Sequence, residues 1–285
     1  MVYGLYSDVG NHYINDAFYS KASIEALARR LIGDRHNVAK QTTVASADKG
    51  AALGHPSYVW TYGLERRLGL IRRYVPLEGK RILDIGCGIG TFVQRLRQFS
   101  GDVYGVDIDA ERLRQGAARL PNLALAVGEH LPYAAETFDV ILLHEVLEHV
   151  KDDAATLREA TRVLRPGGHI CIFCPNRLYP FETHGVFWRQ KYLFGNIPFV
   201  NWLPDPLRNR LAPHARAYTL AGLQRLYWGL PLRVVVTTVI YPGFDHVRAR
   251  RGRAGQALRW LLYPLERTPL RIFGLSHFVV LEKRG

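Results

Sequence analysis

Cysteine is scarce in this sequence, and its scarcity excludes one class of protein. Only three cysteines occur among the 285 residues, at Cys87, Cys171 and Cys174. Such a low, odd number argues against a disulfide framework and favours a reducing compartment. Cys171 and Cys174 lie in an apolar run that we predict to be a strand. Residues three apart on a strand point to opposite faces of the sheet, so we expect no shared metal ion or redox pair.

Long apolar runs are absent as well. No uncharged apolar stretch approaches the ~18 residues that span a bilayer. Residues 1–10 lack the basic and then apolar pattern of a secretory signal. We therefore expect a cytoplasmic protein that does not cross a membrane. The sequence has no internal repeat or low-complexity tract, and 48% hydrophobic with 22% charged residues is a globular composition.

Acidic residues are fewer than basic ones, 25 against 38, which leaves a formal net charge of +13. An excess of this size favours anionic partners such as nucleic acid, acidic lipid headgroups or phosphorylated substrates. A basic surface that serves only solubility explains the charge equally well, because net charge says nothing about the fold.

The middle and end of the chain alternate between short apolar runs and amphipathic stretches. Strands are predicted at residues 81–85, 103–106, 123–127, 138–143, 169–174, 232–241 and 276–282, and helices at 91–99, 110–119, 154–164 and 219–228. Uniformly apolar strands separated by helices indicate a parallel sheet that is buried on both faces. The sequence therefore predicts an α/β fold with helices on both faces of the sheet.

We predict one domain over residues 57–285, preceded by an extension at 1–56 whose role the sequence leaves open. A helix at 58–74 has apolar residues on one face and arginines on the other. Residues 178–217, rich in aromatics, are too long for an ordinary loop and are predicted to form an inserted lid or cap. Residues 243–275 form a second, basic insertion.

A glycine-rich segment at residues 83–91 follows the first predicted strand and opens a helix. Gly86, Gly88 and Gly90 would let the backbone turn tightly and approach a ligand closely. Dinucleotide-binding folds use the same strand, loop and helix with a different glycine spacing. Asp84, two residues before the first glycine, indicates a cationic group nearby, such as an amino group.

Two further acidic residues follow strands. Asp107 ends the second strand, 21 residues beyond Gly86, where a carboxylate can accept bonds from ribose hydroxyls. Glu129 follows the third strand. Ligands bind at the carboxyl ends of strands in open α/β sheets, so these acids are candidate ligand contacts rather than ordinary loop residues.

These segments, together with residues 138–150 and 164–168, resemble the motifs of class I S-adenosylmethionine-dependent methyltransferases of the ubiquinone-pathway O-methyltransferase kind. The resemblance covers residues 79–175 well and the remainder loosely, where 214–219 resembles quinone-type and cell-surface-sugar methyltransferases. It implies a Rossmann-like, mostly parallel sheet with an antiparallel last strand, and S-adenosylmethionine as cofactor. The implied cofactor-binding residues are Asp84, Gly86, Cys87, Gly88, Gly90, Asp107, Ile108, Gly128, Glu129, His130 and His144.

Within the resemblance, the glycine loop packs on the methionine part of the cofactor and Asp84 helps to hold its amino group. Asp107 accepts the ribose hydroxyls, Ile108 lies beside the adenine, and Glu129 accepts from the adenine amino group. His144, just past the fourth strand, is the candidate catalytic base, because histidine is the usual proton acceptor near neutral pH. A side chain there can also simply pack on the cofactor.

Glu145, Glu148 and His149 form an E-x-x-E-H pattern that a helix would place on one face. Two carboxylates and an imidazole can bind a divalent ion, and the pattern is a metal site in ubiquinone-pathway and small-RNA 2′-O-methyltransferases. Many class I methyltransferases carry similar residues without that role, so a divalent metal is possible but not favoured. The RNA enzymes need a further histidine, for which His184 is the only candidate, in surroundings that match poorly.

The favoured acceptor is a small or lipid-linked molecule, such as a quinone precursor or a glycolipid sugar. Aromatics at 179–202 and a basic amphipathic stretch at 248–262 could form a lid or a membrane-facing surface, so peripheral contact with an anionic membrane is possible.

The alternatives are an RNA 2′-O-methyltransferase, for which no RNA-binding module is visible, and a non-catalytic protein that has kept the fold. Tyr58 and Tyr62 are candidate pocket residues if the N-terminal part covers the cofactor.

Overall fold

A seven-stranded sheet forms the centre of the protein. The computed structural model describes residues 61–189, 191–245, 247–248 and 252–285. The sheet strands are β1 (Ile82–Ile85), β2 (Val103–Asp107), β3 (Leu123–Leu125), β4 (Phe138–His144), β5 (Leu164–Pro175), β10 (Leu232–Ile240) and β11 (Ser276–Lys283). Each lies within a few residues of its predicted position, except that β5 begins five residues early, at the end of the preceding helix.

The strand order is β10-β11-β5-β4-β1-β2-β3. Strands β1 to β5 pair in parallel, and β11 runs antiparallel to both β5 and β10. The register places Ile82 of β1 opposite Val103 of β2 and Val140 of β4. The expected mostly parallel sheet with an antiparallel last strand is confirmed. The reversal of strand order about β1 brings the carboxyl ends of β1, β2 and β4 together, which is where ligands bind in such sheets.

Both faces of the sheet are buried in separate hydrophobic clusters. One cluster contains Ile141 and Ile172, and the other contains Leu142 and Phe173. Cys171 belongs to the second cluster, and Cys174 belongs to the first. The two cysteines thus point to opposite faces, as predicted from their spacing. Each large apolar side chain buried in this way contributes roughly 1.5–3 kcal/mol to stability.

The helices are α1 (Thr61–Arg72), α2 (Thr91–Leu96), α3 (Ala110–Ala117), α4 (Asp153–Val163), α5 (Asp205–Leu211), α6 (Leu220–Tyr227) and α7 (Arg253–Leu262). Helices α5 and α7 belong to the two inserted segments, and the other five pack on the faces of the sheet. Polar side chains fix where three of them begin. Asp109 accepts from the Glu111 amide at α3, and Asp152 accepts from the Ala155 amide at α4. Thr219 accepts from the Gly222 amide at α6. Such caps each contribute about 1 kcal/mol to helix stability.

The segment after β5 contains two small antiparallel sheets. Strand β6 (Phe181–Glu182) pairs with β9 (Ile197–Pro198), and β7 (Val186–Trp188) pairs with β8 (Lys191–Leu193). A 3₁₀ helix at Val200–Trp202 and α5 follow. Two further 3₁₀ helices, Tyr263–Arg267 and Pro269–Phe273, precede β11. The domain boundaries and the lid function of these segments remain predictions.

The two inserted segments meet at the carboxyl end of β5. The Asn176 side-chain amide donates to the backbone oxygens of Ile272 and Gly274, at 2.6 and 2.7 Å. The Trp202 ring lies 6.3 Å from that of Phe273. Within the described ranges, no helix has the length and apolar character required to cross a membrane.

Candidate active site

The loop between β1 and α2 is shaped by glycines in left-handed backbone conformations. Gly86 has φ 74° and Gly90 has φ 81°. A Cβ atom on Gly86 would lie 2.3 Å from Val146 Cγ2, and one on Gly90 would lie 2.4 Å from Leu120 Cδ1. The loop therefore runs close against the segment that follows β4, and a side chain at either glycine would force this contact open.

Two acids lie beside this loop. Asp84 is buried on β1, and burial together with the neighbouring Asp107 raises the pKa of its carboxyl well above the usual value. Asp107 accepts from the Gly88 amide at 2.7 Å and from the Asp109 amide at 2.8 Å. The paired acids create a local demand for positive charge, because a cation would offset the cost of burying Asp84.

The predicted adenine-side residues follow β2 and β3. Ile108 is 69% exposed, which leaves its side chain available for an apolar contact. A Cβ atom on Gly128 would lie 2.9 Å from Thr156 Cγ2, and Glu129 accepts from the Asp152 amide at 3.0 Å. The His130 side chain is exposed beside them.

Cys87 differs from the other residues predicted to bind the cofactor. Its side chain is buried in the core and faces β2, since Cys87 Sγ lies 2.7 Å from where a Cβ atom on Gly105 would stand. Only the backbone of Cys87 is left to meet a ligand in the loop.

His144 ends β4 between two aromatic rings. Its ring centroid lies 4.4 Å from that of Phe92 and 5.5 Å from that of Phe173. Its buried Nε2 has no hydrogen-bond partner among the described residues. Burial, and then the nearby Arg67 guanidinium, lower the pKa of His144 to about 3. A side chain with that pKa is neutral and accepts protons poorly near pH 7, so the pKa favours cofactor contact over the predicted base role.

The segment after β4 is not the helix that the sequence predicted. Residues 145–150 form a bend and a turn, and Glu145 has a left-handed φ of 53°. The expectation that Glu145, Glu148 and His149 share one helix face is therefore wrong. The cause is a long-range contact: Val146 fills the space beside Gly86, and this contact favours a path that helical geometry does not provide.

The Glu145 carboxylate contacts two residues that are 209 positions apart in the chain. Arg67 of α1 approaches Glu145 Oε1 at 2.7 Å, and Ser276 of β11 donates to the same oxygen at 2.7 Å. Burial disfavours the Glu145 anion, but Arg67 and other donors outweigh it, so the pKa of Glu145 is lowered. The prediction that the arginines of α1 lie on the solvent face is wrong for Arg67, which is only 5% exposed. Its place beside Leu68, at the border of the apolar stripe, was the only signal.

A second cluster lies further along the same turn. Glu148 is 1% exposed, and neither carboxylate oxygen has a hydrogen-bond partner in the described part of the chain. Burial, and then the adjacent Glu145 carboxylate, raise the pKa of Glu148 well above the usual value. Ligand atoms of Glu148, His149 and His184 all lie within 4.8 Å of one another. The structure thus brings His184, whose surroundings matched poorly in sequence, to the E-x-x-E-H segment.

The outer nitrogens of both histidines are already occupied. His184 Nδ1 lies 3.0 Å from Glu182 Oε1, and His149 Nδ1 lies 3.2 Å from the His214 backbone oxygen. An oxygen of either kind only accepts, so each Nδ1 carries the hydrogen and each Nε2 keeps a lone pair. Histidines that bind metals usually show this arrangement. The group therefore fits a divalent cation in both charge and donor type.

Glu182 is itself held by a buried ion pair that no sequence pattern predicted. Arg208 of α5 approaches Glu182 Oε2 at 2.7 Å and donates to the Ala215 backbone oxygen at 2.6 Å. Both partners are almost fully buried. The two residues are far apart in sequence and lie on short elements without clear periodicity, so no sequence signal identified the pair.

The predicted pocket tyrosines gain no support. Tyr62 packs under Arg259 of α7, with the guanidinium carbon 3.6 Å from its ring centroid. Tyr58 lies outside the described residues.

Comparisons with known proteins agree with this geometry. A family described as a methyltransferase domain matches residues 83–172. The ubiquinone biosynthesis O-methyltransferase of Pectobacterium atrosepticum is 36% identical over 174 residues, covering 50% of this chain and 69% of that protein. The protein of the same name from Hydrogenovibrio crunogenus is 29% identical over 136 residues, covering 45% of this chain and 56% of that protein.

The chain spans between 45% and 69% of the length of these and similar curated relatives. Among solved structures, an S-adenosylmethionine-dependent methyltransferase from Mesorhizobium loti aligns with a TM-score of 0.54 at 17% identity, covering 80% of this chain and 99% of that chain. At that identity the likeness shows the fold alone. The Pectobacterium relative adds the sequence motifs, and with them the chain belongs to the class I S-adenosylmethionine-dependent methyltransferases.

Proposed function

We propose that this chain methylates a hydroxyl group of a small or lipid-linked acceptor, using S-adenosylmethionine. The proposal rests chiefly on the glycine loop, Asp84 and Asp107, which lie together at the carboxyl edge of the sheet. Relatives named ubiquinone biosynthesis O-methyltransferases support a quinone-type acceptor. A cell-surface glycan or glycolipid is the second acceptor class that we propose.

The cofactor brings an electrophilic methyl group, so the protein has mainly to bind it and align the acceptor. Alignment of this kind can account for about 7–11 kcal/mol of barrier reduction. We propose that Asp84 receives the amino group, since a cation there compensates a buried carboxyl. Asp107 would accept the ribose hydroxyls with lone pairs left over from its bonds to the Gly88 and Asp109 amides.

The remaining proposed contacts lie on the adenine and methyl sides. The exposed Ile108 would cover one face of the adenine. Glu129 would accept from the adenine amino group, with Gly128 and His130 beside it. Next to the methyl group, His144 would contact the cofactor as a neutral ring. Backbone atoms of Gly86, Cys87, Gly88 and Gly90 would line the methionine part.

An acceptor hydroxyl must lose its proton during transfer, and His144 is a weak acceptor for it. We propose that Glu148, His149 and His184 would hold a divalent ion. When bound, such an ion would lower the pKa of that hydroxyl. Arg67 and Ser276 would keep the neighbouring Glu145 carboxylate in place through their contacts with its Oε1.

Exposed apolar side chains at the junction of the two insertions support a lipid-linked acceptor. The Trp202 patch consists of Leu178, Phe181, Phe199, Trp202, Leu270 and Ile272, all exposed. The Trp202 ring lies 5.1 Å from that of Phe199, and its Nε1 donates to the Leu178 backbone oxygen at 3.0 Å. The exposed Arg271 stands between Leu270 and Ile272. Apolar and cationic side chains on one surface suit an anionic membrane.

Co-sedimentation with vesicles tests this contact. We expect binding to phosphatidylglycerol vesicles, weaker binding to phosphatidylcholine vesicles, and loss of binding in Trp202→Ala. Trp228→Ala is the matched control, because Trp228 is exposed at the far end of α6. Equal loss in both variants, or no binding by the wild type, would count against membrane contact.

Calorimetric titration with S-adenosylmethionine and S-adenosylhomocysteine tests the cofactor site. Asp107→Ala is expected to lose at least tenfold in affinity for both. Asp102→Ala is the control, because Asp102 precedes β2 and pairs with Arg81 instead. Wild-type binding would justify screening phenolic and glycolipid acceptors for methylation. A wild type that binds neither ligand would point to a non-catalytic protein that has kept the fold.

The position of His184 also favours a second candidate, RNA 2′-O-methylation, because that class was expected to need a further histidine beside the E-x-x-E-H segment. The net charge of +13 is compatible with phosphate contacts. Binding to RNA that weakens steeply with salt, together with methylation of a ribose hydroxyl, would favour this candidate over the small-molecule acceptor.

A further inference from the structure

We propose that Glu159 and Arg162 of α4 are positioning residues for adenine recognition. They would act through the Glu129 loop, which consists of residues 127–133 and carries the acid expected to face the adenine amino group. The inference rests on the proposed function and deepens it, because it names the residues that decide which nucleobase the cofactor site accepts. Neither side chain has to touch the cofactor for this role.

Glu159 and Arg162 bind both backbone polar groups of Leu131 in this loop. Glu159 Oε2 accepts from the Leu131 amide at 3.0 Å, and Arg162 Nη2 donates to the Leu131 backbone oxygen at 3.2 Å. Arg162 Nη1 donates to the Tyr133 backbone oxygen at 2.9 Å. The two side chains also bind each other through two hydrogen bonds of 2.8 Å, Nε to Oε1 and Nη2 to Oε2. An arginine and a carboxylate paired in this way have a fixed geometry, so they hold the loop backbone in one place.

The first turn of α4 holds the other side of the loop. Glu129 Oε1 accepts from the Asp152 amide at 3.0 Å, and a Cβ atom on Gly128 would lie 2.9 Å from Thr156 Cγ2. Residues 152, 156 and 159 are spaced by four and three positions, which places them on one side of a helix. One side of α4 therefore holds the loop before, at and after Glu129.

The loop itself is tight enough to transmit this restraint to Glu129. The His130 amide donates to the Val127 backbone oxygen at 3.2 Å, and the same two residues form an isolated β-bridge. The Leu131 side chain is buried in the hydrophobic core. Because Glu129 lies between these fixed points, a shift of the Leu131 backbone moves the Glu129 carboxylate relative to the cofactor site.

The Glu129 carboxylate can distinguish an amino group from an oxygen. An ionised carboxylate only accepts hydrogen bonds, so it binds the adenine amino group and repels the oxygen that hypoxanthine carries at the same position. A site built around such a bond rejects the ligand that lacks the donor, provided that neighbouring residues hold the acceptor in place. Glu159 and Arg162 supply that support.

The ion pair between Glu159 and Arg162 contributes little to the stability of the fold. The Arg162 side chain is 36% exposed and the Glu159 side chain 20% exposed, and the two residues are three positions apart on one helix. Pairs of this kind stabilise proteins only weakly. Variants of either residue should therefore remain folded, which allows a specific effect on ligand binding to be measured.

Calorimetric titration of the full chain with S-adenosylhomocysteine and S-inosylhomocysteine tests the proposal. The second ligand has an oxygen in place of the adenine amino group, and we expect the wild type to prefer the first by about tenfold or more. In Arg162→Met and Glu159→Ala this preference should fall below about threefold, because the loop loses its support. Glu159→Gln should keep most of the preference, since its amide oxygen still accepts from Leu131. Arg114→Met is the matched control, because Arg114 and Glu111 form a pair with the same spacing on α3.

A double variant shows whether Arg162 acts through Glu129. Glu129→Ala should itself lose the preference, and adding Arg162→Met to it should change the ratio of the two affinities less than about twofold. A change as large as the one in the wild-type background would mean that Arg162 affects the ligand by another route, and the proposal would be wrong.

Three further results would overturn the proposal: a wild type that binds both ligands equally, an unchanged preference in Arg162→Met, or an equal loss of both affinities in that variant. The last of these is the effect expected of a merely structural residue. A wild type that binds neither ligand would refute the proposed function itself, so the two failures are distinguishable.

Discussion

Arg67 and Glu145 form an ion pair, with nitrogen and oxygen 2.7 Å apart, that joins the helix before the first strand to the turn after the fourth. The arginine side chain is 6% exposed and the glutamate side chain 25% exposed. Burial lowers the pKa of Arg67, and Glu145 opposes that effect. The pair therefore holds α1 against the turn after β4, and loss of either partner would leave the other charge buried without a counter-charge.

Substitution of Arg67 should lower the free energy of unfolding. In Arg67→Met, Glu145 keeps its charge and loses its cation, and breaking a buried pair in this way costs about 3 kcal/mol. Urea unfolding should show that loss. Arg72→Met is the control, since Arg72 and Glu78 form an exposed pair, whose loss costs at most about 1 kcal/mol. A double variant, Arg67→Met with Glu145→Gln, should recover part of the lost stability, and no recovery would contradict the ion-pair explanation.

Gly86→Ala should weaken cofactor binding. The added Cβ atom would lie 2.3 Å from Val146 Cγ2 at a left-handed φ of 74°. Both the backbone and the turn after β4 would have to move, so affinity for S-adenosylhomocysteine should fall at least tenfold. Gly69→Ala in α1 is the control, because a Cβ atom there meets nothing within 4 Å. Unchanged affinity in Gly86→Ala would show that the loop is not held against Val146.

Stability should fall with acidity through His144. Its folded pKa of about 3 lies below the ordinary 6.5, so the unfolded chain binds more protons between those values. The free energy of unfolding therefore rises with pH through that window and levels off above it. Between pH 7.5 and 5 this group should account for about 2 kcal/mol of lost stability.

His144→Asn tests the assignment by urea unfolding at pH 7.5 and 5. The charged groups facing His144 are Arg67 and Glu145, and Phe92 and Phe173 enclose its ring. The variant should show a smaller difference between the two pH values than the wild type, whereas the exposed His130→Asn should show the same difference. If His144→Asn keeps the full acid sensitivity, the buried neutral histidine is not its source.

Ile108→Ala should separate binding from stability. The side chain is 69% exposed, so its truncation should change the free energy of unfolding by less than about 0.5 kcal/mol. Affinity for S-adenosylhomocysteine should drop several-fold, because the adenine would lose an apolar neighbour. Leu220→Ala, exposed on α6, should change neither quantity. A stability loss in Ile108→Ala without an affinity loss would argue for a structural role.

The sequence was sufficient for the parts of the site that lie on strong local patterns. Apolar strands, the glycine spacing and the acid that ends β2 are encoded within short windows, and they predicted where the loop and its acids meet. The turn after β4 was mistaken for a helix, since 3.6-residue spacing does not reveal that Val146 must fill the space beside Gly86. A contact between segments 60 residues apart decided that conformation.

The remaining misses involve charges that are buried by distant partners. The residues around Arg67 in the sequence are typical of a surface arginine. Its burial is explained by its contacts with Glu145 and Ser276, which are distant in the chain. Glu182 and Arg208 are 26 residues apart and lie in an irregular segment. Periodicity predicts which face of a helix or strand is apolar, but it does not predict which charged residues form ion pairs in the interior.

The position of β11 affects how the protein can fold while it is being synthesised. This strand lies between β5 and β10 and is antiparallel to both, although it follows them in the chain. Until it emerges from the ribosome, β10 has no neighbour in the sheet and β5 presents an open edge of unpaired backbone groups. The nascent chain therefore carries two apolar strand edges that invite aggregation. Insertion of β11 pairs the open edge of β5 and one edge of β10 at the same time.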